Sequence, residues 1–152
     1  MNSNKLDIFL DELQEDILED TYRAYGPKGY DRWLNPRYCY ILDSPDSWAS
    51  LTGDCGDRID IYLQIDKIKN IVSDGSYQTT GCASSSICGS FAVEMAIGKS
   101  PDEILDMSAA TLLNELGGFP KEEEHCAHLA ITTVKEAINL YMQNQAAKHT
   151  TN

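Results

Sequence analysis

Three cysteines, Cys55, Cys82 and Cys126, sit where metal or sulfur chemistry is feasible. Cys55 lies in GDCGD, residues 53–57, where Gly53 and Gly56 permit unusual backbone angles and the close approach of a second group. Asp57 adds an oxygen donor to the same turn. Cys82 lies in TTGCAS, residues 79–84, where an expected strand passes into an expected helix. Gly81 allows a sharp turn there, and the free N–H groups and dipole of a helix N-terminus favour a thiolate. Cys126 lies in PKEEEHCAHLA, residues 120–130, near the start of another expected helix. The thiolate is the form that binds metal or attacks sulfur, and a glutamate run beside it should disfavour it. The conflict is resolved if these glutamates are pre-helix acids on a solvated surface, turned away from the thiol.

If the three thiolates converge, a fourth ligand completes a tetrahedral site, with Asp57 and His125 as candidates. Three sulfurs suit an iron–sulfur cluster or zinc. A carboxylate oxygen is a poor ligand for a soft metal and should leave a cluster exchangeable. That suits a protein that gives its cluster away better than a permanent electron carrier. Cys39 and Cys88 lack a comparable setting. Cys39 is read as partly buried, Cys88 as a helix-face residue, and neither as essential. His128 is read as a surface or packing residue without a role. The chain has no CxxC pair, which disfavours a zinc ribbon or a thioredoxin-type redox site.

The elements that must position these groups follow from hydrophobic periodicity. Residues 5–25 read as an amphipathic helix with Leu6, Phe9, Leu10, Leu13 and Ile17 on one face, stopped by Gly26-Pro27. Residues 35–57 read as an extended crossing with a short strand near 48–52. RIDIYLQI, residues 58–65, alternates as a half-buried strand. A turn at Asp66-Lys67 and a second strand follow, with an irregularity expected at Asp74-Gly75. Strands joined so closely pair antiparallel. After Cys82 the pattern is helical to Gly98. Ser100-Pro101-Asp102-Glu103 reads as a capping box, a short helix follows Ser108, and a long helix spans 125–142. The tail beyond it is expected to be flexible. Helix, strands, then helices favours one α+β domain with helices on one face of a small sheet.

The bulk composition narrows the functional classes. The 152 residues suit one domain, with 42% apolar and 24% charged residues. Twelve basic against 24 acidic residues give a net charge of −12, which argues against a nucleic-acid groove. No apolar run spans a membrane and no secretory signal opens the chain, so the expectation is a cytoplasmic protein with reduced thiols.

Six motifs in order then identify a resemblance. NPR at 35–37, GDCGDRIDIYLQI at 53–65, TTGCAS at 79–84, GKSPDEILDM at 98–107, LGGFP at 116–120 and HCAHLA at 125–130 resemble the IscU/NifU-type iron–sulfur cluster assembly scaffolds, over residues 30–142. The resemblance implies an α+β fold with a three-stranded antiparallel sheet, and a carrier rather than an enzyme. On such a platform a cluster, usually 2Fe–2S, is built from iron and from sulfur supplied by a cysteine desulfurase, then passed to acceptor apoproteins. It places the ligands on Cys55, Cys82, Cys126 and Asp57, with His125 as the alternative fourth ligand. Cys126 is expected to accept persulfide sulfur, being at a helix end that a partner can reach. Many members carry a lysine two residues before the histidine, in a segment recognised by a dedicated Hsp70 chaperone. Glu123 stands there in this chain and reverses the charge, so chaperone recognition is not carried over. The helix at 5–25 exceeds the shortest members and leaves open packing on the sheet, desulfurase binding or a homodimer. Two other classes stay open at this point: a structural zinc protein, and a sulfur relay that carries persulfide without a cluster.

Overall fold

The structure, a computed structural model, describes residues 2–150. In chain order the elements are α1 (Asn2–Leu34), β1 (Ser47–Thr52), β2 (Arg58–Asp66), β3 (Ile71–Thr79), α2 (Ala83–Ala96), α3 (Pro101–Leu105), α4 (Ala109–Leu116), a 3-10 turn (Lys121–Glu123) and α5 (His125–Thr150). The sheet is antiparallel in the order β1-β2-β3. The expected α+β class and three-stranded sheet are both present.

The alternation in β2 dictates the layering. Ile59, Ile61, Leu63 and Ile65 turn to one face and are buried, joined there by Ala49 and Tyr77 from the flanking strands. The helices α2 and α5 cover that face. Their contribution to the core includes Ile87, Val93, Ala130, Val134, Ala137 and Ile138. The opposite face carries Trp48 stacked on Tyr62 at 6.0 Å, and Arg58 paired with Asp60 at 3.2 Å.

Local chemistry sets the element ends. Ser100 caps α3 through the N–H of Glu103, whose carboxylate accepts from the Ser100 N–H, as the capping-box pattern predicts. Gly117, at φ 73°, ends α4 in the left-handed conformation. The strand irregularity falls one residue earlier than expected. Gln64 faces Asp74 while Ile65 faces Val72, so Ser73 is the extra residue. Gly75 matters for packing instead, because a Cβ there would lie 3.0 Å from Val93 and 3.3 Å from Leu63.

Two helices run further than the sequence predicts. Gly26, at φ 74° and ψ 179°, does break α1, yet the helix resumes at Pro27 and continues to Leu34. Proline is pre-organised for the first turn of a helix, and tertiary contacts hold the added segment. Arg32 is buried, donates to Ser90 Oγ at 2.9 Å and Glu94 Oε2 at 2.8 Å, and stacks 4.1 Å above the Phe91 ring. The second case is α5, which continues past residue 142 to Thr150 where a flexible tail was expected. The added stretch contains Ala146, Ala147 and Lys148 and no glycine or proline, so nothing local stops it. Residues 151–152, part of that expected tail, lie outside the described residues.

The first half of α1 does not pack on the sheet. Leu6, Phe9, Leu10, Leu13 and Ile17 are each between 45% and 58% exposed. Among the described residues no helix is long and apolar enough to cross a membrane.

Candidate functional site

Three chain segments meet at one end of the sheet: the β1–β2 turn, the N-terminus of α2 and the N-terminus of α5. The turn is closed by the Gly53 N–H donating to the Asp57 carbonyl at 2.9 Å and the Gly56 N–H donating to the Gly53 carbonyl at 3.0 Å. Gly56 sits at φ 89°, a conformation that side-chain-bearing residues rarely adopt. Cys82 occupies the N-cap of α2, where its carbonyl accepts from the Ser86 N–H at 3.2 Å and its own side chain makes no capping bond.

Ser85 joins two of these segments. Its hydroxyl donates to Asp57 Oδ2 at 2.8 Å, and the same oxygen lies 3.5 Å from Cys126 Sγ. Gly81 makes the arrangement sterically feasible, because a Cβ on it would stand 2.5 Å from Ser85 Oγ and 2.6 Å from Asp57 Oδ2. The need for Gly81 is therefore close approach of the carboxylate, in addition to the turn that the sequence suggests.

Cys126 starts α5 as expected, but it is fully buried. This corrects the expectation that a partner reaches it directly; the packing of α5 against α2 and the sheet seals it. Burial is the main reason its thiol is pushed up to about 11. The negative charges of Cys82, Glu123 and Asp57 push the same way, while the Ser85 hydrogen bond acts against them.

Glu123 is the exception to the solvated-glutamate reading. Its Oε2 lies 3.9 Å from Cys126 Sγ. One ligand atom each from Glu123, His125 and Cys126 lies within 4.8 Å of the other two. His125 is exposed, with Nδ1 3.0 Å from the Glu122 carbonyl oxygen. A carbonyl only accepts, so Nδ1 carries a proton, and in the neutral ring Nε2 is the nitrogen with a lone pair.

Cys55 is exposed and lines an open pocket of about 650 Å³ with His125, His128, Leu51, Leu129 and Thr132. His125 thus borders both the Cys126 neighbourhood and the Cys55 pocket. Among the described residues the tight ligand group is Glu123, His125 and Cys126; the expected ligands Cys55, Cys82 and Asp57 are not part of it, and Cys55 and Cys82 are exposed. Cys39 is exposed rather than partly buried; in this segment Leu42 and Tyr38 turn to the core and Cys39 does not. Cys88 is buried in the core, and burial raises its thiol far above the ordinary range.

Sequence reasoning missed Ser85, Tyr25 and the orientation of Glu123. Ser85 lies three residues after Cys82, on the same first turn of α2, so helical geometry alone could have flagged it. Tyr25 has no such signal: its hydroxyl meets Ser84 Oγ at 2.7 Å and its ring packs 5.4 Å from Phe119 only through the path of α1.

Residues 5–148 match the NifU-like N terminal domain. The chain belongs to the NifU-like N-terminal domain family. It is 33% identical over 120 residues to the iron-sulfur cluster assembly scaffold protein IscU 1 of Archaeoglobus fulgidus, covering 78% of this chain and 77% of that protein. Identity to the iron-sulfur cluster assembly scaffold protein IscU of Aquifex aeolicus is 29% over 122 residues, covering 80% and 78%. In three dimensions it resembles the N-terminal NifU-like protein of Brucella abortus with a TM-score of 0.62 at 18% identity, over 80% of this chain and 96% of that one. At that identity the likeness concerns the NifU-like fold.

Proposed function

We propose that this NifU-like chain is a scaffold on which an iron–sulfur cluster, of the 2Fe–2S type, is assembled from ferrous iron and desulfurase-derived sulfur and then handed to acceptor apoproteins. What supports the reading is membership of the NifU-like family together with Ser85, which links Asp57 to Cys126 beside the α2 N-terminus that Cys82 caps, and the pocket that Cys55 shares with His125. The donor set fits the cargo: thiolates hold iron strongly, and Asp57, tied to Ser85, supplies the weak position from which a cluster can leave. The protein is a platform here and catalyses no reaction of its own.

Sulfur enters at Cys126. Its thiolate attacks the outer sulfur of a persulfide on the desulfurase, the S–S bond of that persulfide breaks, and the desulfurase cysteine leaves as thiolate. Because Cys126 is sealed, the step requires the segment 121–125 to lift from the α2 end. Ferrous iron and an external thiol such as free cysteine, which is oxidised to a disulfide, then supply the two electrons that split each persulfide into sulfide and the Cys126 thiolate, and exposed Cys55 and Cys82 close on the iron. The exposed apolar stripe of α1 is available to the desulfurase or to a second copy of the chain.

Anaerobic incubation with ferrous iron, cysteine and a cysteine desulfurase tests the reading. The wild-type protein and the Cys39→Ser variant should develop visible sulfur-to-iron charge-transfer absorption, while Cys55→Ser, Cys82→Ser and Cys126→Ser should not hold it. A colourless zinc-bound product would favour a structural zinc protein, and a persulfide mass shift without colour would favour a sulfur relay.

A further inference from the structure

We propose that Glu123, His125 and Cys126 form a one-ion seat for a divalent transition metal, in which the Glu123 carboxylate is a direct ligand. The seat is local: the three residues span the end of the 3-10 turn and the first residues of α5, and their ligand atoms lie within 4.8 Å of one another.

The spacing fits a metal. Metal–sulfur and metal–oxygen bonds of about 2.3 and 2.0 Å in a tetrahedral site put the two ligand atoms roughly 3.5 Å apart. The Glu123 Oε2 to Cys126 Sγ separation is 3.9 Å, so a small side-chain adjustment closes it. His125 is prepared as a ligand in the way metal-bound histidines commonly are. Its Nδ1–H meets the Glu122 carbonyl, so the ion is taken by Nε2 of the neutral ring, turned toward Glu123 and Cys126. Glu123 is half-buried and has no ion-pair partner among the described residues, so its charge faces the thiol without a neighbouring cation to offset it. A dication bound by one thiolate, one carboxylate and one neutral imidazole is charge-balanced.

The donor set also selects the ion. One sulfur and one imidazole disfavour Mg²⁺ and Ca²⁺ and suit Fe²⁺, Co²⁺ or Zn²⁺. Neither Cys55 nor Cys82 belongs to the seat, so one ion can bind before those thiols are engaged. That this ion is the first iron of a cluster rests on the function proposed above; the seat itself does not.

Cobalt(II) chloride is the probe. In a Cys55→Ser, Cys82→Ser double variant, anaerobic titration should give one Co(II) per chain, with visible ligand-field bands and a single thiolate charge-transfer band. Adding Glu123→Gln, the same shape without the charge, should weaken Co(II) at least tenfold by chelator competition, and Glu123→Lys should abolish it. Far-ultraviolet circular dichroism should be unchanged in all three, because Glu123 lies outside the core. Equal affinity with Gln at 123, or no Co(II) binding by the double variant with its fold intact, would overturn the seat. Cluster assembly by the wild-type chain is scored separately. Failure of assembly with the Glu123 dependence present removes the scaffold role and leaves the seat standing. Assembly with no Glu123 dependence removes the seat alone.

Discussion

The Ser85 hydroxyl donates a 2.8 Å hydrogen bond to Oδ2 of Asp57, tying the β1–β2 turn to the first turn of α2. That bond fixes where the weakest expected ligand points. Because Ser85 Oγ is also 3.5 Å from Cys126 Sγ, one small side chain touches donors from two segments. Ser85→Ala removes the bond and little volume. It should weaken Co(II) binding by the full cysteine set about tenfold, the range for lost second partners of metal ligands. Chelator competition measures it, and unchanged affinity would show that Asp57 is oriented by something else.

Gly81→Ala tests the close approach on the other side of the same carboxylate. The new Cβ would stand 2.6 Å from Asp57 Oδ2, a distance that forces the carboxylate or the turn to move. Cluster yield on reconstitution should fall severalfold while the helical circular dichroism is retained. Wild-type yield would mean that Asp57 has room to shift at no cost to assembly.

Asp57→Ala addresses release. If Asp57 supplies the exchangeable oxygen ligand, as proposed, its loss should slow transfer of a preformed cluster to an acceptor apoprotein. Transfer followed by circular dichroism in the visible range would show it, and an unaltered transfer rate would remove the role assigned to Asp57.

The chemistry of Cys126 should depend steeply on pH. With its thiol pushed up to about 11, mainly by burial, about one molecule in a thousand carries the thiolate at pH 8. Iodoacetamide should therefore label exposed Cys39, Cys55 and Cys82 first. Labelling at Cys126 should rise about tenfold per pH unit up to about pH 11, as read by peptide mass spectrometry. The sign for stability follows from the same shift. A thiol raised in the folded state contributes stability below its ordinary value of 9.0, and that contribution is lost as pH climbs through about 11. Cys126→Ala should flatten stability in that window.

Arg32 anchors the second segment of α1. Arg32→Met keeps much of the volume but removes the bonds to Ser90 and Glu94 and the cation above Phe91. Glu94 is partly exposed and can be rehydrated, so the cost should be about 2 kcal/mol rather than that of a fully buried pair. Urea unfolding measures it, and a change below about 0.5 kcal/mol, the scale of ordinary surface substitutions, would show that the segment is held by apolar packing alone.

Much of the frame is legible in residue order because it depends on short-range periodicity. The alternation at 58–65, the capping box at Ser100 and the apolar spacing of α5 each encode an element within a few residues. The helix beyond Gly26-Pro27 was not legible in this way. Its support comes from Ser90, Phe91 and Glu94, which lie about sixty residues downstream and reach Arg32 only once α2 is in place.

Residue order alone carries the fold class, the donor types, and the placing of Cys82 and Cys126 at helix starts, because glycines, caps and hydrophobic periods act locally. Tertiary packing alone decided which donors face one another. It buried Cys126 beneath α2, left Cys55 and Cys82 at the surface, and aimed Glu123 at the thiol. Those are outcomes of through-space distance and exclusion of water, which depend on how α2, α5 and the β1–β2 turn settle against each other.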